Sequence, residues 1–186
     1  PRAVALRLGG HVSSETRQIR NGNERDFLPL RTSFAFDLDG PSVNVQTACS
    51  TGLVSVATAC TSLMQRETDM CVAGAISIAR TTGQPLFVEP EAIHSASGHC
   101  RPFSDLADGT VFGDGGGVVV LRRLTDAITD GQRVYCIIRG WGITNDGGSK
   151  PSFLAPDAEG QARAIGTAWR MADIDTQDVS YVEAHG

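Results

Sequence analysis

Residues 43–52 read VNVQTACSTG. Val43 and Val45 alternate with Asn44 and Gln46, the period-two pattern of a half-buried strand entered through Gly40 and Pro41. From Ser50 onward the period changes. Leu53, Val56, Ala57, Cys60, Leu63 and Met64 recur at spacings of three and four up to Arg66 and Glu67, which predicts a helix of about four turns, apolar and Ala-rich enough to lie buried. Cys49 stands at the junction, flanked by the small residues Ala48, Ser50 and Gly52 that a tight strand-to-helix turn needs. At such a place the first helical N–H groups lack partners and the helix dipole is positive, the setting in which cysteine serves as a nucleophile. The alternative is a structural thiol, because free cysteine is among the most buried residue types.

Working outward, RETD (66–69) breaks the helix and MCVAGAISIA (70–79) resumes strand character. Strand, turn, helix and strand together predict the crossover unit of a parallel sheet. Residues 11–32 are polar and read as surface structure, with NGNERD (21–26) as a turn-rich loop. Residues 80–110, with Pro85, Pro90 and Pro102, read as a long ordered excursion. GGVVVLRRL is a predicted strand, TDAITDG a short capped helix ending at Gly131, and RVYCIIRGWGI (133–143) a strand apolar on both faces. NDGGSKPSFLAP is a second irregular loop. Asp157 is the predicted N-cap of a helix through Met171, and VSYVEAHG a final strand. The alternation of strands and helices indicates an α/β fold.

His185 closes that last strand, so its imidazole is expected at the carboxyl edge of a sheet, where open α/β folds bind ligands. Cys49 after one strand and His185 after another can meet on that edge as the pair that thiol chemistry needs. Other motifs carry less. GDGGG (113–117) lacks the GK[ST] ending of a phosphate loop and reads as a turn allowing close backbone approach. His94, His99 and Cys100 lack the spacing of a zinc site. Asp105, Asp108, Asp126 and Asp130 read as turn and cap residues.

The 186 residues, 41% of them hydrophobic, suffice for one domain with a sizeable core or for a piece of something larger. A start without Met and an end immediately after a structured segment lead us to expect a partial sequence. No stretch is apolar for long enough to span a bilayer. A net charge of -5 without Lys/Arg clusters argues against a nucleic-acid partner. Five cysteines without CxxC spacing fit reduced thiols in a cytoplasm.

Several ordered motifs together resemble the β-ketoacyl synthases, the condensing enzymes of fatty-acid and polyketide assembly. GPSVNVQTACSTGLVSV is similar to their active-site segment, GHCRPFSDLADGTVFGDGGGVVVLRRLTDAITDG to their central segment, and YVEAHG to their first histidine motif. NDGGSKPSFLAPDAEGQ resembles the ketosynthase domains of modular type I polyketide synthases. The resemblance implies a thiolase-like fold of layered helices and sheets, α-β-α-β-α, with residues 1–186 a partial ketosynthase domain: about 1–130 from the N-terminal half and about 131–186 the start of the C-terminal half.

It also implies that Cys49 is the nucleophile that carries the acyl chain and that His185 is the first catalytic histidine. Implied with them are decarboxylative Claisen condensation, no cofactor or metal held by the domain itself, substrates on the phosphopantetheine of an acyl carrier protein, a homodimer, and neighbouring polyketide synthase domains. The family's second histidine, its lysine and its glycine-rich oxyanion loop have no counterpart here, so condensing activity is not expected of the isolated fragment. AIHSASGHC departs from the family's usual residues before the His-Cys. A thiolase or chalcone-synthase relative would replace EAHG, and a non-catalytic condensing-fold partner would have lost Cys49.

Overall fold

The computed structural model describes residues 14–78, 88, 93–148, 150–153 and 155–185. Two compact units make up the chain, Pro1–Thr51 and Gly52–Gly186.

In the first unit the polar stretch is helical. Helix α1 (Ser14–Asn23) carries Glu15 in its first turn and Arg20 in its last, charges that complement the helix dipole. Helix α2 (Phe27–Phe36) accommodates Pro29 in its first turn, where no N–H is needed, and stops at Asp37, whose left-handed backbone (φ 53°) returns its N–H to the Ser33 carbonyl. The expected loop is thereby reduced to Glu24–Asp26. Its polar composition concealed helices because an exposed helix requires no wide apolar stripe.

Residues 41–47, read as a strand, close no ladder among the described residues. Alternation encodes an extended, two-faced backbone, but a strand also needs a neighbour, and the pattern does not supply one. A single-turn 3-10 helix, Ala48–Ser50, then leads into helix α3 (Thr51–Met64), within two or three residues of the expected end.

Ala57, Cys60 and Leu63 form the buried side of α3, while Leu53 and Met64 remain exposed. Helix α3 runs beside strand β1 (Met70–Ser77), Ser55 Oγ donating to the Gly74 carbonyl at 3.2 Å; on β1, Cys71, Ala73 and Ala75 are the more buried residues and Met70, Val72, Gly74 and Ile76 are exposed. Strand β2 (Gly115–Arg122) pairs with β1 in antiparallel register from Met70–Arg122 to Ser77–Gly115. The parallel crossover expected from the sequence is therefore absent among the described residues. The strand that would open it forms no ladder, and β1 pairs instead with a strand later in the chain. GDGGG is correspondingly no separate turn: Gly115, Gly116 and Gly117 start β2. The close approach falls on the partner strand, where a Cβ on Gly74 would lie 2.3 Å from the Gly117 carbonyl.

Arg123 fastens these pieces. Its guanidinium donates to the Leu63 carbonyl at 3.1 Å, the Thr68 carbonyl at 2.7 Å, the Asp126 carboxylate at 2.6 Å and the Asp69 carboxylate. It thus caps the end of α3, the entry to β1 and the following helix α4 (Leu124–Thr129) together. Helix α4 ends as expected, with Gly131 at φ 65° and the Gln132 N–H returning to the Ala127 carbonyl at 2.8 Å.

Helix α5 (Ala158–Ala172) begins where Asp157 predicts it, the carboxylate accepting the Gly160 N–H at 2.8 Å. Residues 133–143 form no ladder among the described residues, yet residues 140–144 run along α5. A Cβ on Gly140 would lie 2.2 Å from the Ala168 carbonyl and one on Gly142 2.0 Å from the Ala164 carbonyl; Thr144 Oγ1 donates to the Gly160 carbonyl at 3.0 Å. Every second residue thus meets every fourth helical residue. The match is geometric, since two extended residues and four helical residues both span about 6–7 Å. The predicted strand is a backbone rail for a helix, and only glycine fits at its two closest points.

VSYVEAHG likewise shows no ladder among the described residues, with the 3-10 turn Thr176–Asp178 preceding it. Of the expected excursion over 80–110, residues 80–87 and 89–92 lie outside the described residues, as does Ala79 at the end of the predicted strand 70–79.

Candidate active site

The turn that presents Cys49 is built by hydroxyls. Thr51 Oγ1 accepts the Thr47 N–H at 3.0 Å and donates to the Ala48 carbonyl at 2.7 Å, while Ser50 Oγ donates to the Thr47 carbonyl at 2.8 Å. Between them the backbone reverses. Thr47 sits at φ -132°, ψ 36°, and Ala48 adopts φ 52°. For a residue with a Cβ the left-handed region costs roughly 1–2 kcal/mol, and the three hydroxyl contacts hold the chain there. Such strain, where found, concentrates at functional turns. Cys49 is exposed, one residue beyond the left-handed Ala48 and two before the first residue of α3. Upstream, Arg25 Nη1 donates to Gln46 Oε1 at 2.9 Å, tying the entry to the turn.

Cys49 belongs to the first compact unit and His185 to the second. His185 is exposed, and the described segment 179–185 carries one side-chain bond near it, from the Tyr181 hydroxyl to Glu183. That bond holds the Tyr181 phenol above its ordinary range.

A second ordered cluster has no signature in the sequence pattern. The Asp108 carboxylate accepts from Ser95 Oγ at 2.6 Å, from the Ser97 N–H at 2.9 Å and from Ser97 Oγ at 3.1 Å, with Arg101 Nη1 at 3.8 Å. Ser95 Oγ also accepts the His99 N–H at 3.1 Å, and Ser95 is buried. The Ser95 bond, then the Ser97 bonds and the Arg101 charge, draw the Asp108 carboxyl down to about 2. Ser95 N–H to Thr110 O and Thr110 N–H to Ile93 O close the base of the loop at 2.8 and 2.9 Å. Asp108 is therefore the anchor of the 93–110 loop rather than a simple turn residue. Asp126 and Asp130 also do more than cap, pairing with Arg123 and Arg122. Asp108 precedes a glycine, the ordinary signal of a turn, and nothing in the spacing of Ser95 and Ser97 announces that they converge on it.

Comparison with known proteins bears on the turn and the loop together. Residues 5–127 match the family model Beta-ketoacyl synthase, N-terminal domain, and residues 135–186 match Beta-ketoacyl synthase, C-terminal domain. The chain belongs to the β-ketoacyl synthase family.

Among curated relatives, the ketosynthase chain is 49% identical over 164 residues to a phenolphthiocerol/phthiocerol polyketide synthase polypeptide of Mycobacterium tuberculosis, covering 88% of this chain and 11% of that one. It is 43% identical to the hybrid PKS-NRPS synthetase TAS1 of Gloeophyllum trabeum over 86% of this chain and 10% of the relative. Among solved structures it is similar to ketosynthase twelve of the bacillaene polyketide synthase from Bacillus amyloliquefaciens, with a TM-score of 0.83 at 31% identity, over 88% of this chain and 29% of that chain. The ketosynthase from module 6 of the bacillaene synthase of Bacillus subtilis gives 0.77 at 32% identity, over 93% and 31%. The fold is thus the thiolase-like fold of ketosynthase domains, as the motifs imply. The chain spans about a tenth of the curated relatives' length and under a third of the solved ketosynthases. Among the described residues, no helix is long and apolar enough to cross a membrane.

Proposed function

We propose that this chain is part of a polyketide synthase ketosynthase domain that extends an acyl chain by decarboxylative Claisen condensation. The observation that carries the reading is the hydroxyl-braced turn that places exposed Cys49 ahead of α3, within the segment matching the N-terminal β-ketoacyl synthase model.

In this reading Cys49 Sγ attacks the acyl thioester on a carrier protein's phosphopantetheine, expelling that thiol and taking the acyl group. A malonyl-type thioester then loses CO2 to give an enolate, whose developing negative charge His185 stabilises as a hydrogen-bond donor. The enolate carbon attacks the Cys49 thioester carbonyl. The tetrahedral intermediate, held by donors that include the Cys49 N–H, collapses and releases the Cys49 thiolate and a β-ketoacyl thioester on the carrier. The reading requires Cys49 and His185 to meet at one site.

The same proposal assigns residues to about 130 to the N-terminal half of the domain and those from about 131 to the C-terminal half. It gives the protein an acyl carrier protein and adjoining synthase domains as partners, a second copy in a homodimer, no cofactor of its own beyond the carrier's phosphopantetheine, and a cytoplasmic site of action.

The test uses the complete synthase. Cys49→Ala is expected to abolish acyl loading, read by mass spectrometry of the acylated peptide, and His185→Ala to impair CO2 release from the malonyl extender while sparing loading. Acyl loading that persists on Cys49→Ala would overturn the nucleophile assignment.

A further inference from the structure

Away from Cys49, two thiols lie across the packing of α3 on β1. Three contacts set its register. A Cβ on Gly52 would meet the Ala75 Cβ at 3.5 Å, Ser55 Oγ donates to the Gly74 carbonyl at 3.2 Å, and Cys71 Sγ donates to the Ala59 carbonyl at 3.7 Å. The helix advances as the strand recedes, so Cys60, buried and one residue after Ala59, stands level along the helix with Cys71, whose sulfur reaches the Ala59 carbonyl. We propose that Cys60 and Cys71 are a latent dithiol that peroxide converts to a disulfide, fastening α3 to β1.

The division of labour follows from their surroundings. Cys71 is half-buried, and its sulfur lies 3.0 Å from Thr68 Oγ1, itself 3.1 Å from Ser62 Oγ. Cys60 is buried, and burial, with Cys71 beside it, pushes its thiol up. Cys71 therefore reacts first. Its thiolate attacks one peroxide oxygen, the O–O bond breaks, and the departing alkoxide or hydroxide takes the thiol proton, leaving a sulfenic acid. Cys60 attacks that sulfur, the S–S bond forms, and hydroxide leaves with the Cys60 proton as water. Two thiols are oxidised, and one peroxide is reduced to an alcohol or water plus a second water. The product links a helix that begins two residues after Cys49 to the strand beneath it.

The experiment oxidises the intact native protein with hydrogen peroxide, alkylates remaining thiols and digests with trypsin. The expected product is Thr32–Arg66 joined to Glu67–Arg80, lighter by two hydrogens, with fragment ions placing the link at Cys60. Thiol reductant should reverse it, and Cys60→Ala should lose it. Because that variant can be unstable, the wild-type link position decides the matter. A link at Cys49, or Cys71 recovered unlinked as alkylated thiol or sulfinic acid, overturns the proposal.

Discussion

Thr51 Oγ1 donates to the Ala48 carbonyl at 2.7 Å while accepting the Thr47 N–H at 3.0 Å. One hydroxyl thus bridges both sides of the left-handed residue that precedes Cys49. The turn's geometry depends on a residue that touches no substrate in the proposed chemistry.

Thr51→Val keeps the shape of this side chain and removes both bonds. The expected loss is about 1 kcal/mol of stability, the net worth of exchanging such bonds for water. Acyl loading at Cys49 in the complete synthase should slow by roughly ten- to a hundredfold, the cost of a misplaced reacting group. Thr51→Ser should restore most of the rate. Unchanged loading in Thr51→Val, measured by time-resolved mass spectrometry, would show that the hydroxyl does not set the turn.

Gly142→Ala should be among the more damaging single-methyl additions in the protein. The added Cβ would sit 2.0 Å from the Ala164 carbonyl, a backbone atom that cannot swing aside, so the rail and α5 must separate. Overpacking of this kind costs about 1–3 kcal/mol or more. Gly113→Ala, with nothing within 4 Å of the new atom, serves as the comparison and should be close to neutral. Equal shifts in denaturant midpoint for the two variants would contradict the packing described.

Asp108 gives the 93–110 loop a defined acid response. Its folded carboxyl lies at about 2, below the unfolded value, chiefly through the Ser95 bond. The lowered value means that folding favours the charged form. The contribution is complete above the unfolded carboxyl range, near pH 4, and is lost as pH falls from about 4 to about 2. Asp108→Asn removes the titration. Thermal midpoints followed across that interval should fall more steeply for the wild type than for the variant, and parallel curves would refute the assignment.

What the sequence makes legible divides along physical lines. Helices α3, α4 and α5 are legible because their signals are local: a 3.6-residue period, Gly131 at a C-terminus, and Asp157 at an N-cap. Strands β1 and β2 are legible as strands, but their antiparallel partnership is not, since register depends on residues more than thirty positions apart in sequence. Helix α1 escapes notice because its residues are polar and solvated, α2 because its apolar residues gather on no single helical face, and alternation alone overstates residues 41–47, 133–143 and 179–185, which close no ladder among the described residues. At the site, the small residues around Cys49 announce a tight turn. The left-handed backbone falling on Ala48, a residue with no special liking for it, is not announced. Nor is the convergence of Ser95, Ser97 and Arg101 on Asp108, which needs the loop closed before those groups can meet.

The stepping of Gly140, Gly142 and Thr144 along Ala168, Ala164 and Gly160 works as a vernier, two divisions on one scale against four on the other. Such a scale constrains how the segment can change in length. Deleting or inserting one residue within it would turn Trp141 or Ile143 toward α5 in place of a glycine, whereas a change of two residues restores the alignment one helical turn away. Length variation here should therefore come in pairs, and a homologue shorter by a single residue must have rebuilt the helix opposite.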